Sequence, residues 1–349
     1  MGVRHDFLIL RENKDNSDLP CNATPCKAFV TEVSFMLLNP VTPMEPKSSD
    51  QIPEGEEWIA QIKWDGVRVL TYYDGNEIRL FNRKANERTF HYPELQKIED
   101  YCRASSVIMD GEIIALGSDD KPSFHEVMRR DSIRRFENVK QVSKIVPVTY
   151  MIFDLLYYDE QWVNDLPLSE RMELLANIVR PQPNIQLVSS HHDGQVIFKT
   201  IKEHGLEGIV MKRKDSRYFI GEKKDVWLKV KNYQDLIAVV AGFTLNSGIV
   251  NALLLGLYDA DGHLWYIGHA GTGRLTKQEW RDLTPLLHSL TSEEQPFVNR
   301  PERHRDAYWV KPQLTVKVQY IEWTEGRSLR QPSIQAFVVD VEPKSLQLH

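Results

Sequence analysis

The sequence predicts an α+β protein of two domains, the second a small β-barrel, and three observations carry that expectation. The chain has 349 residues and is 42% hydrophobic, enough to bury two separate cores. Between Trp58 and Lys212 short β-rich runs alternate with amphipathic helical stretches, as in antiparallel sheets covered by helices. After Asn232 the alternation stops, and β-rich runs follow one another with a single helix among them.

Taken in order, residues 1–35 are polar and read as an irregular extension, and the proline-marked stretch 39–57 interrupts regular structure before the first clear strand. The first domain is expected over 36–232. Strands are predicted over 58–63, 67–73, 77–82, 107–116, 148–157, 185–189 and 208–212, and helices over 93–103, 168–179 and 194–204. The second domain, 233–349, has strands predicted over 236–244, 250–258, 263–269, 314–323 and 335–341 and a helix over 276–289. That content matches an OB-fold, a partly open barrel that commonly binds nucleic acid; a small barrel of other function has the same pattern.

Composition bounds the function. The formal net charge is −6, which argues weakly against a nucleic-acid partner, because a DNA-binding face is normally basic. The bases are unevenly spread, however. From Lys199 to Lys231 there are ten Lys/Arg against five Asp/Glu, and from Arg129 to Lys144 six against two. Such runs are either solvated faces or electrostatic footprints. Cys21, Cys26 and Cys102 are too few for a disulfide scaffold and suit a reducing compartment, and Cys21 and Cys26 lack a second Cys/His pair that would complete a zinc site. No apolar run has membrane-span length, and the start MGVRHDFLILRENKD does not resemble a secretory signal. A cytoplasmic protein, monomeric and without a membrane partner, is expected.

The sharpest chemical feature is Lys63-Trp64-Asp65-Gly66-Val67-Arg68, where the strand WIAQIK ends in a glycine turn and VRVLTYY begins. Lysine is a nucleophile only as the free amine, so a reactive Lys63 needs nearby cations, a metal or desolvation. An exposed hairpin carrying Lys, Asp and Arg would look the same. Glu112 and Glu207 lie in VIMDGEIIAL and LEGIVM, where apolar flanks display a carboxylate from a stiff sheet, a setting that suits Mg²⁺ shared with phosphate oxygens. Lys229 and Lys231 are two apart in a strand and so point to one face, where they can neutralise phosphate.

These segments match, in order, the motifs of the covalent nucleotidyltransferase superfamily of DNA ligases, RNA ligases and mRNA capping enzymes. The matches are Lys63 to Arg68, Arg83 in LFNRKANERT, Asp110-Gly111-Glu112, Phe153-Asp154 in YMIFDLLYYD, Glu207-Gly208, and Lys229 with Lys231 in VWLKVKN. The arrangement resembles ATP-dependent DNA ligases, and most closely the bacterial end-joining (LigD-type) ligase domains. GHAGTGR (268–274) and IEWTEGRSLRQPSI (321–334) resemble the OB-domain signatures of the same branch.

The resemblance implies an adenylation domain with ATP-grasp-like antiparallel sheets followed by an OB-fold. It implies that Lys63 carries AMP, that Gln61, Arg68, Arg83, Glu112, Phe153, Lys229 and Lys231 bind the nucleotide, and that Phe153 stacks on adenine. It also implies that Glu112 and Glu207 hold Mg²⁺ or Mn²⁺, and that Arg68, Arg83 and Arg330 meet nucleic acid. The implied cofactor is ATP, and the implied partners are nicked duplex DNA and a Ku-type end-binding protein, in a bacterial cytoplasm or nucleoid. Two departures stand out. Gln61 replaces the acid that accepts from the adenine amine in many DNA ligases, although its carbonyl also accepts. Val338 and Val341 replace the Arg and Lys that bind departing pyrophosphate, so self-adenylation is expected to be slow. An RNA ligase, a capping-type enzyme, or a nucleic-acid-binding module without ATP activation are the competing readings.

Overall fold

The computed structural model describes residues 39–348, apart from Thr272 and Glu325. The expected extension over 1–35, the first residues of the expected first domain, and Cys21 and Cys26 lie outside the described residues. In chain order the first strands are β1 (Glu45–Ser48), β2 (Trp58–Ile62), β3 (Val67–Tyr73), β4 (Ile78–Asn82), β5 (Val107–Ile114) and β6 (Thr149–Tyr158). There follow β7 (Gln161–Trp162), β8 (Ile185–Leu187), β9 (Ser190–His191), β10 (Gly208–Arg213) and β11 (Lys223–Lys231). The remainder are β12 (Gln234–Asn246), β13 (Ile249–Tyr258), β14 (Leu264–Ala270), β15 (Thr291–Ser292), β16 (Ala307–Tyr320) and β17 (Ser333–Val338). Helices are α1 (Phe124–Asp131), α2 (Val139–Ile145), α3 (Leu168–Ile178), α4 (Gly194–Glu203) and α5 (Lys277–Ser289). No helix among the described residues is long and apolar enough to cross a membrane.

Three sheets result. The first runs β1-β11-β10-β2-β9, the second β4-β3-β5-β6-β7 with β8 beside β6, and the third β14-β13-β12-β16-β15 with β17 beside β16. Ladders are antiparallel except β1 with β11 and β6 with β8. The third sheet curls round its own core of Val240, Phe243, Leu253, Leu255, Val316 and Ile334, capped by Leu283 and Leu287 of α5. This is the expected mixed architecture of an adenylation domain and an OB-type barrel. Between the first two sheets a further cluster (Leu70, Tyr72, Phe81, Leu156, Tyr218, Trp227) holds them face to face.

Several local signals are answered by local structure. Ser123 and Asp193 cap α1 and α4 by accepting from the amides of Glu126 and Val196, and Thr276 with Glu279 forms a capping box on α5. The helix expected over 93–103 is instead two 3-10 turns, Pro93–Leu95 and Ile98–Asp100. The buried residues Tyr92, Leu95, Ile98 and Tyr101 recur every third position, which fits three residues per turn and drifts off an α-helix. The proline-marked stretch does contain a strand. β1 carries Pro46, and an edge position tolerates a residue that cannot donate.

The strand expected from 314 begins at Ala307 and crosses Pro312 at a register shift, where the missing N–H breaks no ladder bond. It stops at Tyr320 because the chain turns back: Ile321 N donates to Arg330 O (3.1 Å) and Thr324 N to Ser328 O (2.8 Å). α1 and α2 have no counterpart in the sequence reading. Each spans only about two turns, too short for an amphipathic period to stand out.

Candidate active site

β2 ends at Ile62, and the next residue, Lys63, donates its backbone N–H to Gly208 O at 2.9 Å, so the side chain leaves from a fixed strand end. Gly66 and Gly208 make this junction sterically feasible. A Cβ on Gly66 would lie 2.1 Å from Ile113 O, and one on Gly208 2.2 Å from Val230 O. The neighbouring strand end brings in Glu207, whose buried carboxylate accepts from Lys63 Nζ at 2.5 Å and lies 3.4 Å from Lys231 Nζ. The expected nucleophile is thus held by one of the expected metal ligands.

A cavity of about 660 Å³ opens between the first two sheets, lined by Gln61, Lys63, Arg68, Arg83, Glu112, Phe153, Glu207, Lys229, Lys231 and Arg330. Every residue singled out by sequence for nucleotide, metal or nucleic acid therefore borders one space. Gln61 is buried and gives its amide to Ser190 Oγ (3.1 Å), which leaves its carbonyl oxygen as the group available to a ligand. Arg83 is exposed at the rim and pairs with Glu45 at 3.3 Å. Arg68 is tied down: Nε and Nη2 reach Asp110 at 2.9 and 2.6 Å, and Tyr218 OH bridges both partners. Its guanidinium also lies 5.4 Å from the Phe153 ring. Val338 and Val341 do not line the cavity.

The electrostatics follow from burial. Desolvation pushes the Glu112 carboxyl up to about 8, against the pull of Lys63 and Arg68 and with help from Asp110 and Glu207. Desolvation lowers Lys229, and its neighbours Lys223, Lys231 and Lys63 lower it further. Lys231 is lowered by desolvation despite the opposing charge of Glu207. The charge of a ligand phosphate would relieve this crowding. Glu112 has no hydrogen-bonding partner among the described residues, and a cation beside it would offset the cost of its desolvated charge.

Sequence reasoning missed four participants. Lys212 is buried on β10, with Nζ 4.0 Å from the Trp227 ring and 4.4 Å from the Phe153 ring, and desolvation pushes it down to about 7. Two-residue alternation with Val210 would have placed it on the cavity face. Trp227 lines the same space, and its indole N–H, like that of Trp64, is buried without a partner.

Asp65 is the fourth and receives a bidentate contact from Arg330 (2.8 Å for Nη2 to Oδ1; Nη1 bonds Oδ2), while Arg330 Nη1 also reaches Glu322 at 2.7 Å. Beside it Lys231 Nζ donates to Gln331 Oε1 at 2.9 Å. The turn after β16 thus closes over the cavity mouth. Neither basic run is a face in its entirety. Lys212, Lys229 and Lys231 enter the cavity, Arg213, Arg217 and Lys224 pair locally with Asp215, Asp165 and Glu222, and Arg130 is buried.

Residues 36–231 match the family described as ATP dependent DNA ligase domain, and residues 246–340 the ATP dependent DNA ligase C terminal region. The multifunctional non-homologous end joining protein LigD of Mycobacterium bovis is 31% identical over 300 residues, 84% of this chain and 38% of that protein. A DNA ligase of Methanothrix thermoacetophila is 32% identical over 334 residues, 90% of this chain and 58% of that protein. The chain thus spans well under two thirds of these relatives. Among solved structures, one from a study of Lig E DNA ligases superposes with a TM-score of 0.57 at 20% identity, covering 85% of this chain and 98% of that one.

Proposed function

This chain belongs to the family of ATP-dependent DNA ligases, and from that premise we propose that it seals 5′-phosphate/3′-hydroxyl nicks in duplex DNA through a lysyl-AMP on Lys63. The observation that carries the proposal is a single cavity holding a strand-anchored amine, its carboxylate partner, Lys229 and Lys231, and the ring of Phe153. Lys63 Nζ, freed from Glu207 and with its proton lost to solvent, attacks the α-phosphorus of ATP; the N–P bond forms as the P–O bond to pyrophosphate breaks, and the leaving pyrophosphate carries away the charge. Lys229 and Lys231 offset charge on the phosphate oxygens. Phe153 offers its face to adenine and Gln61 its carbonyl to the exocyclic amine. The AMP then moves to the 5′-phosphate of a nick, and the 3′-hydroxyl displaces it.

Glu112 and Glu207 fit a Mg²⁺ ion: both are hard oxygen donors on the cavity wall, and Glu112 carries a desolvated carboxyl with no hydrogen-bonding partner among the described residues. Bound there, the ion would neutralise phosphate charge beside Lys63. A nicked duplex as substrate is supported by family membership. A role in end joining with a Ku-type partner draws support from the end-joining names of the LigD relatives, and a monomer in the bacterial cytoplasm completes the proposal.

The test is incubation of the protein with α-labelled ATP and Mg²⁺, followed by a nicked DNA substrate and a matched RNA one. A covalent adduct and DNA sealing are expected in the wild type, and neither in Lys63→Ala or Lys63→Arg, because a guanidinium stays protonated. An adduct that persists in both variants would place the nucleophile elsewhere.

A further inference from the structure

Phe90 and Phe136 are 60% and 59% exposed, yet their rings lie against each other, with centroids 4.9 Å apart and planes tilted by 50°. Phe90 lies on the 3-10 turn Thr89–His91, and Phe136 opens the 3-10 turn Phe136–Asn138 that runs into α2. A buried cation joins the two segments rigidly. Arg130 bonds both carboxylate oxygens of Glu94 (3.0 Å each), His91 O (2.7 Å) and Val146 O (2.9 Å). His91 Nε2 also meets Ile133 O at 3.0 Å. The same scaffold reaches the catalytic cavity, because Arg88 and Asp131, which line it, pair at 3.0 Å.

Around the two rings are cations without ion-pair partners among the described residues: exposed Arg134, Arg135, Lys140 and Lys144, with Glu137 the one acid between them. Phe136, Lys140 and Lys144 fall four residues apart on a continuous helical run, so they share one stripe. On a chain of net charge −6, this is a local cationic surface that presents aromatic faces. We propose that Phe90, Phe136, Arg134, Arg135, Lys140 and Lys144 form a binding site for unpaired nucleotides of a broken strand, beside the cavity that seals the nick.

Aromatic faces interleaved with unpaired cations suit single-stranded nucleic acid, since every base has a face to stack and every linkage a phosphate to neutralise. An acidic protein would use the cations but leaves no reason for rigid, exposed rings. The site rests on the ligase reading for its meaning and extends it: the substrates would include breaks with overhangs or flaps as well as fully paired nicks.

The test uses two DNA probes, a matched nicked duplex and a duplex with a four-nucleotide single-stranded overhang carrying 2-aminopurine, bound by wild type, Phe90→Ala/Phe136→Ala, Phe90→Trp/Phe136→Trp and Arg134→Ala/Arg135→Ala. The alanine pair should weaken overhang binding about ten-fold or more and abolish the quenching that stacking gives, while the tryptophan pair retains both. The arginine pair should lower the salt slope on the overhang by roughly one to two. Lysyl-AMP formation should be unchanged throughout. Equal loss on both probes, no loss on either, or no quenching in the wild type would overturn the proposal. A wild type that fails to form lysyl-AMP but binds the overhang as described would instead sink the ligase reading alone.

Discussion

The contact between Asp65 and Arg330 predicts that two residues in different domains act as one unit in self-adenylation. The perturbation is a cycle of Asp65→Ala, Arg330→Ala and the double variant. The pair is bidentate, with side chains 13% and 18% exposed, so solvent screens it incompletely. Hydrogen bonds to charged groups contribute roughly 1.5–3 kcal/mol each, and Arg330 keeps Glu322 when Asp65 is lost, so a coupling of about 2 kcal/mol is expected. At about 1.4 kcal/mol per decade, that is roughly a thirty-fold change in the ratio of closed to open molecules. The assay is single-turnover formation of lysyl-AMP, alongside sealing of a nick that already carries AMP. Each single variant should slow the first reaction, the double variant should be no slower than the worse single, and the second reaction should change little. Independent, multiplying effects of the two substitutions would refute the reasoning, as would an unchanged first step.

Other outcomes follow from the electrostatics and the sequence departures. Glu112 has a folded pKa raised to about 8 from 4.5, so in metal-free buffer the folded state binds the extra proton and stability should fall as pH rises through that window. Glu112→Gln should flatten the slope in urea titrations, and Glu112→Ala should lose sealing on the order of a hundred-fold or more without a lower melting temperature; equal losses of both would mean a structural role. Lys212 has the opposite sign: its folded pKa falls to about 7 from 10.5 through burial, against Asp154 and Asp110 and with Arg68 and Arg171. The unfolded chain therefore holds more protons between those values, and stability relative to Lys212→Met should rise with pH there by up to about 1.4 kcal/mol per unit; parallel pH curves for the two proteins would contradict this. Val338→Arg/Val341→Lys should accelerate adenylation if those valines handicap pyrophosphate departure; fast wild-type adenylation with no gain in the variant removes the idea.

What could be read from the sequence was what is local in the chain. The Lys63 junction was visible because a strand, a glycine turn and a second strand leave their periodicity in sixteen consecutive residues, Trp58 to Tyr73, although the two strands enter different sheets. The two lysines of β11 were visible because alternation decides which face they share. The 3-10 turns after Tyr92 were misread as a helix, although a three-residue period drifts about 180° off one α-helical face over nine residues. Arg130 was counted as part of a basic face although it is a buried tie, and its charge said nothing of Glu94, 36 positions away. The contact of Asp65 with Arg330 was hidden for a similar reason: nothing in either segment reports that a turn in one domain comes to rest on a loop of the other.

That last contact also has a consequence during synthesis. Asp65 and Arg330 are 265 residues apart, and at roughly 5–20 residues per second a ribosome needs between about 13 and 53 seconds to travel from one to the other. Only after about residue 232, when the strands that hold Lys63 are complete, can a nascent first domain fold with its reactive amine in place, and the 98 residues from there to Arg330 leave it uncovered for about 5 to 20 seconds. Translation order alone therefore keeps the cavity open until Arg330 has been made, and a polypeptide released before it would carry Lys63 without the arginine that closes over it.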